Sequence, residues 1–121
     1  MSNTASFVPR GVASSRRKYR NQPVTVDGYK FASKAEARRY GELKLLKLAG
    51  QILDLELQPK FVFEHQGVRI GGYKADFRYR LPHSPTLIVE DVKSPASKTQ
   101  AYELRKKMMK AFHGIEIREV A

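Results

Sequence analysis

The chain has 121 residues, enough for one domain with a core of its own. It carries no cysteine, which excludes disulfides, thiol catalysis and cysteine-bound zinc. Its 23 Lys and Arg outnumber 12 Asp and Glu, and the resulting net charge of +11, with a pI near 10.1, points to a polyanionic partner, nucleic acid first. No apolar run approaches the roughly 20 residues of a spanning helix, and no basic amphipathic stretch shows a bulky aromatic face. The first residues lack the apolar segment of a signal peptide, so the expectation is an intracellular, cytoplasmic protein away from the membrane.

Residues 1–20 contain five Lys and Arg and no acid, interspersed with Ser, Gly and Pro. They read as a disordered basic arm, in which Arg16, Arg17, Lys18 and Arg20 are candidate phosphate contacts; a solvated tail would have the same composition. Residues 21–121 then read as a single domain. Val24-Thr25-Val26 and Tyr29-Lys30-Phe31 flank Asp27-Gly28, the signature of a two-residue hairpin turn. Ser33-Lys34-Ala35-Glu36 is a capping box that opens a helix ending at Gly50, with Ala35, Tyr40, Leu43, Leu46 and Ala49 as its apolar stripe.

After Gly50 the period shortens to two. Leu53, Leu55 and Leu57 are expected on one strand face, Pro59 breaks the strand, and Phe61-Val62-Phe63 resumes it. In the next strand Tyr73, Ala75, Phe77 and Tyr79 should face a core, while Lys74, Asp76, Arg78 and Arg80 face away. Leu87-Ile88-Val89 has the pattern of a strand buried on both faces, yet it runs into Glu90-Asp91-Val92-Lys93. Alternation puts Asp91 and Lys93 on one face of that strand and Glu90 on the other. Ser97-Lys98-Thr99-Gln100 is a second capping-box pattern, opening a helix expected to bury Ala101, Leu104, Met108, Ala111 and Phe112 and to close at Gly114. A strand over residues 115–120 ends the chain. The order predicts an α/β chain of the α+β kind, with one mixed sheet flanked by helices and an N-terminal β-hairpin.

Phosphodiester hydrolysis near neutral pH requires charge stabilisation at phosphorus and an activated water. A hard divalent cation held by one or two carboxylates supplies both, and a nearby Lys can orient the water or stabilise charge. Asp76, Asp91, Lys93 and Glu36 can furnish such a set. Each also has a plainer reading: Glu36 as the cap partner of Ser33, Asp76 as a surface acid balancing Lys74 and Arg78, and Asp91 with Lys93 as an exposed ion pair. Gln58 and Glu90 are further candidates for lining a cleft. Lys98, Arg105, Lys106, Lys107 and Lys110 on the second helix are candidate phosphate contacts or a solvated face. His65, His83 and His113 share no metal-ligand spacing and read as surface residues.

Ala75-Asp76, a 14-residue gap and Asp91-Val92-Lys93 together resemble the signature of the PD-(D/E)XK nuclease superfamily, with Ala75 in place of the signature proline. The resemblance extends to Phe31–Tyr40, Leu57-Gln58-Pro59 and the closing Lys-rich helix, which are similar to a group of small phage-encoded endonucleases in that superfamily. It implies a restriction-endonuclease-like αβββαβ core, Asp76 and Asp91 as ligands of Mg²⁺ or Mn²⁺, Lys93 assisting the water, and Glu36 on the first helix completing the metal shell. The implied activity is metal-dependent endonucleolytic cleavage of DNA, of branched or recombination intermediates in a phage context. A homodimer is also implied, though no feature of the sequence derives one. The competing reading is a basic DNA-binding or recombination accessory protein without catalysis, which gives no reason to gather acids where phosphate must sit.

Overall fold

A computed structural model describes residues 22–121; Arg16, Arg17, Lys18 and Arg20, with the basic arm they belong to, lie outside the described residues. The fold is a mixed α and β arrangement with an N-terminal hairpin. The residues fall into two units that divide between Arg38 and Arg39. The first holds the hairpin of β1 (Val24–Val26) and β2 (Tyr29–Phe31) and the opening of α1 (Lys34–Leu48). Asp27 and Gly28 take φ of 53° and 81°, the left-handed pair that a twist-matched two-residue turn requires. Helix α1 starts as the capping pattern predicts, the Glu36 N–H donating to Ser33 Oγ at 3.2 Å. It ends with Gly50 at φ 75°, while the N–H groups of Gly50 and Gln51 donate to the carbonyls of Lys47 and Leu46.

The second unit contains a four-stranded sheet in the order β3 (Leu53–Leu57), β6 (Phe77–Arg80), β7 (Leu87–Val92), β8 (Arg118–Val120), antiparallel except for the parallel β7–β8 pair. Helix α2 (Gln100–His113) joins β7 to β8, so α1 and this sheet follow one another as helix, three strands, helix, strand. Inserted between β3 and β6 is a separate hairpin of β4 (Lys60–His65) and β5 (Val68–Lys74). Its turn, Gln66-Gly67, repeats the left-handed pair of the first hairpin, with φ of 50° and 79°.

Four local expectations change. The single sheet is instead a four-stranded sheet plus two hairpins, because the chain leaves the sheet at Gln58-Pro59 and rejoins it at Ala75-Asp76. Leu55 and Leu57 share a half-buried face, but a register shift between Leu53 and Glu56, with Asp54 at φ 56°, leaves Leu53 exposed, and the buried apolar residue here is Ile52. Helix α2 is capped by Thr99, whose Oγ1 accepts from the Tyr102 N–H at 3.1 Å, while Ser97 pairs with Ser94 in a short 3-10 turn. Its buried side chains are Tyr102 and Met109, whereas Leu104 is 58% and Phe112 36% exposed. Tyr102 and Met109 close a core with Phe61, Phe63, Tyr73, Ala75 and Val89.

The opposite face of β7 carries a buried ion pair. Glu90 is wholly buried and accepts two bonds from Arg39, Nε at 2.8 Å and Nη2 at 2.7 Å, and a third from the Tyr79 hydroxyl. Burial, then the bond to Glu90, pushes the Tyr79 hydroxyl up to about 12, and Glu90 raises Arg39 further above its ordinary value. Removing one partner of such a pair leaves an uncompensated buried charge, at a cost of about 3–5 kcal/mol. Arg39→Met is therefore expected to lower the free energy of urea unfolding by about that amount, and Arg39→Met with Glu90→Met to recover most of it. A single mutant as stable as the parent protein would contradict this account.

Candidate metal-binding site

The point where the chain rejoins the sheet builds the site. At Ala75-Asp76 the hairpin ladder ends and the β6 ladder begins. The Ala75 N–H donates to the Pro59 carbonyl at 3.0 Å, and the Asp76 carbonyl accepts from the Gln58 N–H at 2.9 Å. The Asp76 N–H is shared between the Glu90 carbonyl and Asp91 Oδ1, both at 3.1 Å. In return, Asp76 Oδ2 accepts from the Val92 N–H at 2.8 Å. Each carboxylate thus holds the backbone of the other's strand.

Register decides which side chains share a face. Phe77 pairs with Glu90 and Tyr79 with Ile88, so Phe77, Tyr79 and Glu90 lie together. Val89, one residue along, belongs to the core under α2, and Asp91 follows it on that side. Lys93 does too, its Nζ lying 4.3 Å from the centroid of the Tyr102 ring. The expected core row of Tyr73, Ala75, Phe77 and Tyr79 is buried throughout, but it serves two faces: Tyr73 and Ala75 face the α2 core and Tyr79 reaches Glu90. The irregular backbone at Ala75-Asp76 makes that change of face and brings Asp76 beside Asp91.

Asp91 is only 3% exposed. Burial pushes its carboxyl up to about 6, against the opposing pull of Lys93 and the Asp76 N–H. Asp76 is shifted upward by the same cause, with the Val92 N–H, Lys93 and Lys74 opposing. Desolvation thus outweighs all the local donors, and the pair resists carrying two negative charges. A hard divalent cation reverses that balance, and one or two carboxylates with water and substrate phosphate are the donor set Mg²⁺ takes. One oxygen of each carboxylate is spent on backbone N–H groups, and the donor set fits such an ion. Among the described residues no group of three or more His, Cys, Asp or Glu is gathered to hold a metal.

Sequence reasoning missed Glu119. Parallel pairing sets it beside Asp91, and its carboxylate accepts from Tyr102 Oη at 2.7 Å and Lys106 Nζ at 2.8 Å, with Lys98 Nζ at 3.0 Å. Lys106, Tyr102 and Lys98, in that order of effect, hold Glu119 down to about 2. Alternation in the last strand could have shown which face Glu119 takes, but the β7–β8 register is a tertiary fact. Lys98 and Lys106, candidates for phosphate contact or a solvated face, are thus paired with an acid of their own chain. Lys110 pairs with Glu116 at 3.2 Å, while Arg105 and Lys107 are exposed on α2.

Glu90 is not a lining residue, since it points to the face of Arg39 and Tyr79. Gln58 is exposed, takes φ 52°, and has its N–H on the Asp76 carbonyl, so its backbone supports the site directly. Glu36 stands in the first turn of α1, in the first unit. His65, His83 and His113 are exposed; His113 Nε2 is 2.9 Å from the Val62 carbonyl, its ring near Phe61 and Phe63.

No helix among the described residues is long and apolar enough to cross a membrane. Comparison with curated proteins and with solved structures finds no match. A family model described as "Protein of unknown function (DUF1064)" matches residues 16–120, nearly the whole chain, and the protein belongs to that family.

Proposed function

We propose that the protein is a Mg²⁺- or Mn²⁺-dependent endodeoxyribonuclease of the PD-(D/E)XK type. The observation that carries this reading is the mutual clasp of Asp76 and Asp91, a half-buried carboxylate at the bend before β6 and a buried one on β7, with Lys93 on the face of Asp91. Asp76 and Asp91 would hold the cation, and Lys93 supplies a positive charge whose field reaches both acids. Structural ion-pair networks also bury acids, but they answer them with hydrogen-bonded cations, as Arg39 answers Glu90. Among the described residues Asp76 and Asp91 receive only backbone N–H groups. The helix, three strands, helix, strand order of α1 and the four-stranded sheet supports the same superfamily.

A cation held by Asp76 and Asp91 would supply charge neutralisation at the scissile phosphate and activation of a water. The clasp holds the two carboxylates in place before substrate arrives, so no reorganisation is needed at the moment of reaction. Lys93, steadied over the Tyr102 ring, would orient a water or a phosphate oxygen. Net charge of +11 favours encounter with DNA of any sequence.

Purified protein incubated with plasmid, flap, fork and four-way-junction DNA is expected to cut at least one substrate with Mg²⁺ or Mn²⁺ and none in chelator. Asp76→Ala and Asp91→Ala should abolish cutting while DNA binding persists, and Lys93→Ala should slow it by about 10²–10³-fold. Glu36→Gln reports separately on the further acid implied by the superfamily resemblance. Cleavage that survives both aspartate substitutions would sink the site, and binding without cutting on every substrate would leave an accessory protein.

A second expectation concerns pH. A carboxyl near 6 in the folded state, against its usual 3.8, favours folding when protonated. Without metal, the stability Asp91 contributes is full below about 3.8 and is lost as pH rises through about 6; Asp76 acts in the same sense. Glu119 acts oppositely, its contribution being present above 4.5 and lost as pH falls toward 2. In chelator, thermal unfolding should therefore show Asp91→Asn gaining on the parent protein between pH 4 and 7. Mg²⁺ should raise the Tm of the parent above pH 6 and leave that of Asp91→Asn unchanged. An equal response of both proteins to Mg²⁺ would place the cation elsewhere.

A further inference from the structure

Beside the β4–β5 hairpin and α2 opens a cleft of about 680 Å³, lined by Phe61, Tyr73 and the cations Lys60, Arg69, Lys74 and Arg105, with no acid in its lining. None of these four cations forms an ion pair among the described residues. Their neighbours do: Arg78 pairs with Glu56, Arg80 with Asp54, Lys98 and Lys106 with Glu119, and Lys110 with Glu116. Lys60 and Lys74 also sit directly opposite each other in the β4–β5 register, a like-charge cross-strand pair that works against the hairpin. At Gly72 a Cβ would meet the Arg69 guanidinium at 3.1 Å and the Phe61 carbonyl at 3.2 Å, so the missing side chain lets Arg69 lie close across the strand. An arrangement that costs stability and forms no ion pair among the described residues is explained by an anion from outside.

We propose that this cleft is the track for the phosphodiester backbone of a DNA strand, bridging Lys60 and Lys74 and continuing along Arg69 and Arg105. A concave wall of four cations suits successive phosphates of a strand better than a flat anionic membrane. The track adjoins the acid pair: Lys74 lies two residues before Asp76 and acts on it electrostatically, and Lys60 lies two residues after Gln58, whose N–H holds the Asp76 carbonyl. That adjacency rests on the nuclease reading and says where its substrate lies; the cleft's affinity for DNA does not depend on it.

The test is fluorescence anisotropy of labelled single-stranded, duplex and flap oligonucleotides in EDTA at stepped NaCl, with Lys60→Ser, Arg69→Ser and Arg105→Ser singly and together. Each substitution should reduce the slope of log affinity against log salt by about 1. The triple variant should lose on the order of tenfold or more in affinity near physiological salt. Lys47→Ser, in the last turn of α1, should change neither. Because Lys60→Ser relieves the like-charge pair, its Tm without DNA should equal or exceed the parent's, a result that a merely structural lysine would not give. Unchanged slopes and affinities in the triple variant overturn the proposal. So does loss of binding to phosphatidylserine vesicles with no loss on DNA. Cleft-dependent binding by a protein that cuts nothing keeps the track and removes the nuclease.

Discussion

The bend before β6 is locked to β7 by the carboxylates of Asp76 and Asp91: Asp91 accepts the Asp76 N–H and Asp76 accepts the Val92 N–H. Charge-assisted bonds of this kind are stronger than neutral ones, yet both acids remain harder to ionise than ordinary carboxylates because burial dominates. The same contacts therefore do two things. They fix the place where the chain passes from hairpin to sheet, and they hold a pair of partly frustrated anions where a cation would settle them. Glu119, Tyr102 and Lys93 are arranged around that pair by strand pairing and by the packing of α2.

Strand β7 delivers acids to opposite faces with opposite fates. Glu90 meets a guanidinium fork and a phenol and is fully answered within the chain. Asp91, its neighbour, accepts a backbone N–H and feels the opposing fields of Lys93 and Glu119, with no side-chain donor among the described residues. Burial alone does not separate the two residues, since both are nearly inaccessible. The partner does, and alternation along one strand is enough to give one acid a guanidinium and leave the other without a side-chain donor among the described residues.

That alternation was legible in the sequence, as were the Asp27-Gly28 turn, the Ser33 cap and the glycine stops at Gly50 and Gly114. All are local, set by a few adjacent residues and their allowed dihedrals. What escaped depends on contacts distant in sequence. The bulge at Asp54 leaves Leu53 exposed, apart from the half-buried Leu55 and Leu57 with which period-two reasoning groups it. The face change at Ala75-Asp76 hides inside a clean alternating run, because both faces there are buried. Helix α2 turns Tyr102 inward where the pattern favoured Leu104, since the phenol finds Glu119 on β8. Glu119 itself became visible only with the parallel register of β7 and β8.

The bulge has a further consequence at the margin of the sheet. β3 and β8 are the outer strands of the four, and an outer strand with free backbone groups is a template for joining another chain. β8 is three residues long, too short to offer a continuous ladder. β3 is kinked at Asp54 and carries Asp54 and Glu56, whose charges are tied to Arg80 and Arg78. Both margins are thereby blunted against edge-to-edge aggregation, a safeguard that suits a small sheet protein with such an irregular ladder.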